Sequence, residues 1–337
     1  MGFSSQAGQV ILRTQAVQGV YQADTGTAGV GIRLRGGSLG PNRDLMIPDP
    51  EIGGGRDVTD ANLGTSSWSG DYEFYARVDS FLTLAYAALG LKASPPAVGG
   101  VTTHTITPSD AAQLPFLSIE ERIAANFETY QYTDAVVNTL HLEAEANGYL
   151  MGTAGLIAAK QIAGATSTPD PGWDTTPMFV GTNIMVTYNS VSLPAKSFSL
   201  DINNNFEDDD FRLGSFFIGD LTPKRREITA GFTIRESSSA LWRQAVYGSP
   251  SATQVGGVTS KAPLVITMST YDDIPDSEPP TKYTLELTIP NFSLNPYALS
   301  VSGDDILDSD IEGQAMRPDP GEDIITLTAQ TALAQIA

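Results

Sequence analysis

The sequence lacks the residue types on which much enzyme chemistry depends. It has no cysteine, which excludes disulfide frameworks, cysteine-ligated zinc and thiol catalysis. It has only two histidines, His104 and His141, and both lie in alternating patterns, so we expect each to be a surface strand residue. No nucleophile elbow, zinc-binding helix or phosphate-binding loop motif occurs. The sequence therefore predicts a protein that is not an enzyme and that needs no cofactor or metal.

Two acidic runs keep calcium open as the weaker alternative. Residues 308–313 carry acids at alternate positions and a glycine in sixth place, as in an EF-hand loop. The twelfth position, however, is Asp319 rather than glutamate, and no flanking helices are evident. The second run, Glu207–Asp210, is typical of a solvated loop. Carboxylate pairs also occur in glycosidases, but no cleft pattern accompanies them here.

Basic residues and long apolar runs are also scarce. Lys and Arg number 19 against 39 Asp and Glu, which gives a formal net charge of −20. Such a charge repels nucleic acid and anionic membranes, and it suits either a very soluble surface or one that must lie beside DNA without binding it. The longest uncharged, fairly apolar stretch, 146–159, is too short to span a bilayer. The first residues have no basic or apolar segment, so we expect no signal peptide and no membrane insertion.

What the sequence has in abundance is repetition. Leu63–Gly90 and Leu221–Gly248 align without a gap, and each contains an alternating strand, an arginine, a helical run and a glycine. The turn Val-Gly-Gly-Val-Thr follows in both halves, at 98–102 and 255–259. Chance similarity of two β-rich halves is the alternative, but the recurring order of elements favours a duplicated unit.

Alternation with period two dominates both halves, which indicates antiparallel strands with one apolar face. Two short helices are expected, Ser80–Leu89 and Ser238–Tyr247, each with a serine cap and a glycine stop. We therefore predict a mainly β (α+β) fold of two tandem β-sandwich or small-barrel units, each with one flanking helix. The predicted domains are 1–164 and 178–337, joined by a proline-rich linker at 165–177.

Two long connections precede the strand and helix in the two repeats, Pro41–Asn62 and Asn203–Pro223. Long loops in compact domains are usually functional, and exposed aromatics favour docking on a partner over a local cover. The residues expected to dock are Met46, Ile47, Pro48, Glu51, Ile52, Arg56 and Asp57 in the first loop and Phe211, Phe216, Phe217 and Ile218 in the second.

The run Met46–Asp57, the strand and helix that follow it, and Tyr130–Asp134 resemble the major tail tube proteins of long-tailed, siphovirus-type phages. The resemblance is strongest over residues 40–160 and lies in pattern alone over the second half. It implies a structural virion protein with a β-sandwich and one flanking helix per unit, assembled with other copies in the host cytoplasm into the virion tail. Six units would form a ring around an acidic channel through which DNA passes without specific binding. Long loops would contact the next ring, and tape-measure and tail-end proteins would be further partners.

Combining the repeat with the resemblance predicts rings of three chains, each chain supplying two units. Six chains, with the second half decorating the outside, is the competing arrangement. The polar-face residues expected to line the channel are Asp71, Glu73, Glu143, Glu145 and Glu286. A tandem β-sandwich adhesion module, or a capsid or distal-tail protein, remains the alternative function.

Overall fold

The computed structural model describes residues 5–23, 29–53, 56–58, 60–124, 127–166, 168, 172–236, 238–299, 307–318 and 321–336. Strands make up 51% of the chain and helices 8%, which confirms the mainly β prediction with two helices. The arrangement is consistent with a β-sandwich, and the pairings among the described strands do not close into a barrel.

The strands and the helix before residue 166 are β1 Gln9–Thr14, β2 Val30–Ile32, β3 Leu34–Gly37, β4 Gly40–Asn42, β5 Leu45–Met46, β6 Asn62–Leu63, β7 Ser67–Tyr75, α1 Val78–Leu89, β8 Gly90–Ala93, β9 Thr102–Pro108, β10 Leu117–Arg122, β11 Thr129–Glu145 and β12 Met151–Ala165. Those after it are β13 Ile184–Tyr188, β14 Val191–Leu193, β15 Ala195–Asn203, β16 Glu227–Arg235, α2 Ala240–Tyr247, β17 Ala262–Asp273, β18 Lys282–Leu294, β19 Asp308–Ala315 and β20 Thr326–Thr331. Short 3₁₀ turns at Ser5–Ala7 and Gly181–Asn183 precede β1 and β13.

Both helices end where the sequence predicts. Gly90 and Gly248 follow α1 and α2 in the left-handed conformation, which glycine adopts without a steric penalty. The predicted serine cap of α1 is wrong, because its N-cap residue is Arg77. Ser239 is the N-cap residue of α2, but its side chain makes no capping hydrogen bond. Ser80 lies inside the first turn of α1, and its N–H donates instead to Asp174 Oδ2 at 2.7 Å. Apart from Asp79 and Tyr86, every residue of α1 is buried, so the helix lies within the core.

The same path of strand pairing occurs in both halves. In the first it runs β2, β1, β10, β11, β12, β7 and then β3 and β4. In the second it runs β14, β13, β17, β18, β19, β16 and then β15. Each strand holds the same chain-order position as its counterpart, and a helix follows β7 and β16 alike. This order supports a duplicated unit, which stays a prediction.

Two strand pairings join the halves. β11 pairs with β15 over seven residue pairs from Thr139↔Asn203 to Glu145↔Ser197, and β9 pairs with β20. The main apolar core runs through both halves, because one cluster of buried side chains includes Phe74 and Leu140 from the first and Phe232 and Leu285 from the second. The division of the chain into two domains at 165–177 stays a prediction, and the two predicted domains share this core.

The described part of the predicted linker packs against the first half. Gly31 N–H donates to Gly172 O at 2.9 Å, and Asp174 N–H donates back to Gly31 O at 3.0 Å. Further along the chain, the Arg77 guanidinium donates to Thr176 O. Asp174 also receives the Ser80 N–H at the start of α1, so this segment supplies the negative group that a helix N-terminus favours.

His104 corrects a prediction made from the sequence. It was expected on the surface, yet it is fully buried, since β9 lies between β8 and β20 and the C-terminal segment covers it. Its Nδ1 lies 2.8 Å from Ser94 Oγ and its Nε2 lies 2.8 Å from Leu333 O. Burial lowers the pKa of His104, so this side chain serves as a neutral polar link between the halves.

Candidate functional site

One continuous sheet carries most of the carboxylates of interest. Pairing runs without interruption from β3 and β4 through β7, β12, β11, β15, β16 and β19 to β18. Alternate residues of each strand point into the core, and the others form an outer surface that we call the acidic face. Its carboxylates are Asp71, Glu73, Glu143, Glu145, Asp201, Glu227, Asp308, Asp310 and Glu312.

The structure places four of the five predicted channel residues on this face. Glu73 lies opposite Thr153 of β12, and Thr153 in turn lies opposite His141 of β11. Asp71, Glu143 and Glu145 follow the same alternation. Glu286 also points away from the core, but it lies on the part of β18 between β17 and β20, opposite Thr267 and Thr328.

Several members of the acidic face were missed. Asp310 and Glu312 were read as part of a possible calcium loop, whereas Asp308–Ala315 forms strand β19, paired with β16. In this strand Asp308, Asp310 and Glu312 lie in a row on one face, with neighbours about 6.8 Å apart, and do not curl around one ion, so the EF-hand interpretation is wrong. The described residues contain no group of three or more His, Asp or Glu side chains arranged for a metal.

The few cations on or beside the acidic face are partly neutralised by it. Lys196 contacts Asp308, and the Nε of Arg235 lies 3.5 Å from Asp308 Oδ1. His141 lies between two acids, with Nδ1 2.6 Å from Asp201 Oδ1 and Nε2 3.6 Å from Glu143 Oε2. The hydrogen bond to Asp201 is the main cause that raises the pKa of His141. The face remains strongly negative after these pairs are formed.

The first predicted docking loop projects from the sheet. Its two ends pair as β5 and β6, with Leu45 opposite Leu63 and Met46 opposite Asn62. Between them Ile52 is fully exposed, and Met46 and Ile47 are each more than half exposed. All seven residues predicted to dock from this loop lie at the surface, namely Met46, Ile47, Pro48, Glu51, Ile52, Arg56 and Asp57.

The second predicted docking loop is only partly exposed. Phe216 is 64% exposed, and Phe211 and Phe217 are at the margin of exposure. Ile218 is buried in a small apolar cluster with Phe206 and Leu221, so it anchors the loop and offers no surface to a partner. Leu213, which the sequence analysis did not single out, is fully exposed.

The two loops meet on one side of the molecule. Ser66 N–H, just after β6, donates to Phe216 O at 2.7 Å. The rings of Trp68 and Phe217 have centroids 6.4 Å apart and are tilted by 30°. The exposed apolar side chains of both loops therefore belong to one surface, which we call the loop surface.

A family model for the phage tail tube protein matches residues 5–315 of the chain. The chain belongs to the phage tail tube protein family. Membership gives it a structural role in the tail of a virion and implies that it assembles with itself into a tube. A search of curated proteins finds no significant match.

One edge of the tube protein's sheet is open. β15 is paired on both sides, with β11 and with β16. β3 and β4 occupy the equivalent place in the first half, but among the described strands they pair only with β7. An edge strand presents unpaired N–H and C=O groups to any strand that can add to it. Neither helix in the described part of the chain could cross a membrane.

Proposed function

We propose that this protein forms rings that stack into the phage tail tube and enclose a negatively charged channel for genome delivery. The observation that carries the proposal is the pairing of β11 with β15, which fuses the second half edge-to-edge onto the first. The same kind of contact, repeated between chains, generates a ring when the rotation closes.

The open edge of β3 and β4 is where a second copy would add. It corresponds to the edge of β15 that receives β11 inside one chain. Strand addition of this kind satisfies the backbone hydrogen bonds that an isolated edge leaves to water. In the ring, the acidic face of one copy would then continue into that of the next.

We infer three chains per ring. Each half contributes one portion of the continuous sheet. In the first half this portion is β3 and β4, which share one edge of β7, followed by β7, β12 and β11, and in the second half it is β15, β16, β19 and β18. If each portion is one tube unit, a ring of the six units that the family resemblance implies needs three chains. The matching paths of pairing in the two halves support this count.

The acidic face is the proposed channel lining. Phosphates of DNA would be repelled by it over roughly 8 Å at physiological salt, so the genome would pass without adhering. Asp71, Glu73, Glu143 and Glu145 lie on this face, and Glu286 lies outside its central part. The loop surface, with Met46, Ile47 and Ile52 at its tip, is the proposed contact between rings.

Electron microscopy of the purified, concentrated protein tests the function directly. Long hollow cylinders or stacked rings are expected. Discrete particles that bind a glycan or receptor would favour the adhesion alternative instead. Averaged cross-sections of the tubes decide the chain count, since six equivalent copies per ring would contradict the proposed three.

A further inference from the structure

A surface rich in arginine and tyrosine lies at the end of the sheet opposite the loop surface. Ser66, which is bonded to Phe216 of the loop surface, comes just before the first residue of β7, whereas Tyr75 is the last residue of that strand. The nine residues of β7 separate the two ends by roughly 26 Å. Met151 at the start of β12 lies opposite Tyr75, so Tyr149, just before β12, lies at the same end as Tyr75.

Contacts among the side chains hold this surface together. The Arg35 guanidinium lies over the Tyr75 ring at 5.1 Å, and the Tyr75 and Tyr149 rings meet edge to face with their centroids 5.6 Å apart. Two residues before Arg35, Arg33 lies over the ring of Trp173 at 5.9 Å. We call these five residues the arginine–tyrosine surface.

The composition and shape of the arginine–tyrosine surface suit a contact between proteins. Tyr75 and Tyr149 are 37% and 47% exposed although both rings are large, and both arginines are exposed. Tryptophan, tyrosine and arginine are the residue types most enriched where interfaces gain most of their binding energy. A groove of about 640 Å³, within the roughly 300–1,000 Å³ range of ligand pockets, opens beside Arg33, Arg35 and Trp173. The surface therefore offers a partner both exposed rings and a recess.

The positive charge of this surface is not neutralised within the described part of the chain. Neither Arg33 nor Arg35 takes part in the ion pairs formed there. Arg35 donates instead to the sulfur of Met151, which is a weak acceptor. Glu121 lines the same groove, but it accepts a hydrogen bond from the Tyr72 hydroxyl, and burial raises its pKa, which favours the neutral form. An acidic partner would therefore complement this surface.

The first docking loop has the properties that the arginine–tyrosine surface would recognise. It exposes the apolar side chains of Met46 and Ile52 beside the carboxylates of Asp49 and Glu51. Residues 43–62 contain five acids and two arginines, so the loop is negatively charged. Apolar side chains with carboxylates on the loop match aromatic rings with arginines on the surface, in both apolar character and charge.

We propose that the arginine–tyrosine surface receives the first docking loop of a second copy of this chain in the next ring, with the carboxylates of the loop facing Arg33 and Arg35. The proposal rests on the proposed function, in which this loop acts between rings, and it names the surface on which the loop docks. Because loop and surface lie at opposite ends of β7, each copy contacts one neighbour with its loop and another with its arginine–tyrosine surface. Such head-to-tail contacts do not close between two copies, so they extend into a filament.

Cross-linking through introduced cysteines tests this contact, because the chain has no cysteine of its own. When the full-length Ile52→Cys, Tyr149→Cys variant assembles, a short bifunctional maleimide should join chains into a ladder of dimers, trimers and longer products on a denaturing gel. The two positions lie too far apart for the reagent to join them within one chain.

Single-cysteine variants are the controls for the cross-link. Ile52→Cys and Tyr149→Cys should each stay monomeric on the gel. Ile52→Cys with Val258→Cys, whose second cysteine is exposed elsewhere, should also stay monomeric. Dimers from Ile52→Cys alone would show that loops meet loops, and they would overturn the proposed contact.

Charge reversal tests the same contact through assembly. Arg33→Glu with Arg35→Glu, and separately Asp49→Lys with Glu51→Lys, should each raise the concentration needed for tube formation about tenfold or more. All four substitutions in one chain should restore assembly to near the wild-type concentration. Lys261→Glu reverses an exposed charge elsewhere and should leave assembly unchanged. Pelleting and electron microscopy measure assembly, and thermal unfolding checks that each variant folds.

The outcomes separate this contact from the proposed function. A cross-linked ladder from protein that forms no hollow tubes would contradict the tube and leave the contact standing. Absence of the ladder, with or without tubes, would overturn the contact. Assembly of either charge-reversal variant at the wild-type concentration would overturn it as well.

Discussion

His141 of β11 and Asp201 of β15 face each other across a strand pairing that joins the two halves, with Nδ1 and Oδ1 2.6 Å apart. Thr153 and Thr229 flank this pair on the neighbouring strands β12 and β16. The contact therefore lies in the middle of the acidic face, at the β11–β15 junction that the proposed contact between chains would repeat. A charged histidine there attracts carboxylates from both halves.

We predict that His141 titrates above the usual histidine pKa and His104 below it. The hydrogen bond to Asp201 raises the pKa of His141, whereas burial lowers that of His104. The stabilisation from His141 is fully present below about pH 6.5 and is lost as the pH rises through its raised folded pKa. NMR of histidine-labelled protein can follow the titration of His104 and His141 separately, because the chain has only these two histidines.

Asp201→Asn should lower the pKa of His141 and leave that of His104 in place. Asp71→Asn removes another carboxylate of the acidic face that makes no contact with His141, and it is the matched control. Identical His141 titration curves for Asp201→Asn and wild type would contradict the assignment.

Asp79 is expected to make the fold less stable as the pH rises toward neutrality. Burial raises its pKa to about 6, although Thr331 Oγ1 donates to its Oδ1 at 2.6 Å. A raised carboxyl pKa contributes stability that is fully present below about pH 3.8 and is lost as the pH rises through about 6, on the order of 3 kcal/mol by pH 7.5. The N-terminus of α1 stabilises the charged carboxylate by only about 0.3–1 kcal/mol, which is less than burial costs it. The pKa of Asp79 is therefore raised rather than lowered.

Asp79→Asn keeps an acceptor for Thr331 and removes the titration. Denaturant unfolding at pH 5 and pH 7.5 should therefore show a smaller loss of stability for Asp79→Asn than for wild type. The exposed Asp57→Asn serves as the control and should follow the wild-type profile. A variant with an unchanged difference between the two pH values would show that Asp79 does not cause it.

Helix ends and the buried faces of strands could be predicted from the sequence, because they depend on residues close together in the chain. Gly90 and Gly248 end their helices because the left-handed conformation is available to glycine at either position. The alternation around Leu140 and Phe198 identified strands and their buried faces. The order of elements was sufficient to suggest the family that the family model then showed.

Contacts between residues distant in sequence were not predictable in this way. The side chain that accepts a hydrogen bond at the start of α1 is that of Asp174, which is far away in the sequence. Ser80, which the sequence predicted as the cap, is the donor of that hydrogen bond. His104 alternates like a surface residue, but strand β20 and the C-terminal segment, which come much later in the chain, cover it. Ile218 is an apolar residue in a long loop and was therefore predicted to dock, yet Phe206 and Leu221 pack around it and bury it. In each case the deciding partner comes from another part of the fold.

Deleting Pro48–Gly55 should leave a folded protein that no longer forms tubes. The described part of this segment is exposed and touches little of the core, so its loss should change thermal stability little. A milder variant, Ile52→Ser, should weaken assembly in the same direction, because Ile52 is fully exposed and has no role in the monomer core. Val258→Ser removes an exposed apolar side chain outside both loops and is the control.

Electron microscopy and pelleting give the readout for these variants. Single rings that fail to stack are the specific outcome expected, since the loop surface is proposed to act between rings. Tubes of normal length from the deletion variant would rule out the loop surface as the stacking contact.

Reversing charge on the acidic face should make the channel retain DNA without preventing assembly. Glu73 and Glu312 are exposed, lie on strands from the two halves and project from the acidic face. Glu73→Lys with Glu312→Lys replaces repulsion of phosphate by attraction in each chain, so genome ejection should slow and assembled tubes should bind double-stranded DNA. Added salt should release that DNA, because screening shortens the range of the attraction.

Glu128→Lys makes the same change at an exposed position on the connection between β10 and β11, off the acidic face, and should leave ejection at the wild-type rate. The comparison separates the position of the charge from the net charge of the chain, since both variants become less acidic. Equal slowing by both variants would point to overall charge as the cause. Wild-type ejection by the Glu73→Lys, Glu312→Lys variant, in tubes that assemble normally, would place the channel on another face of the protein.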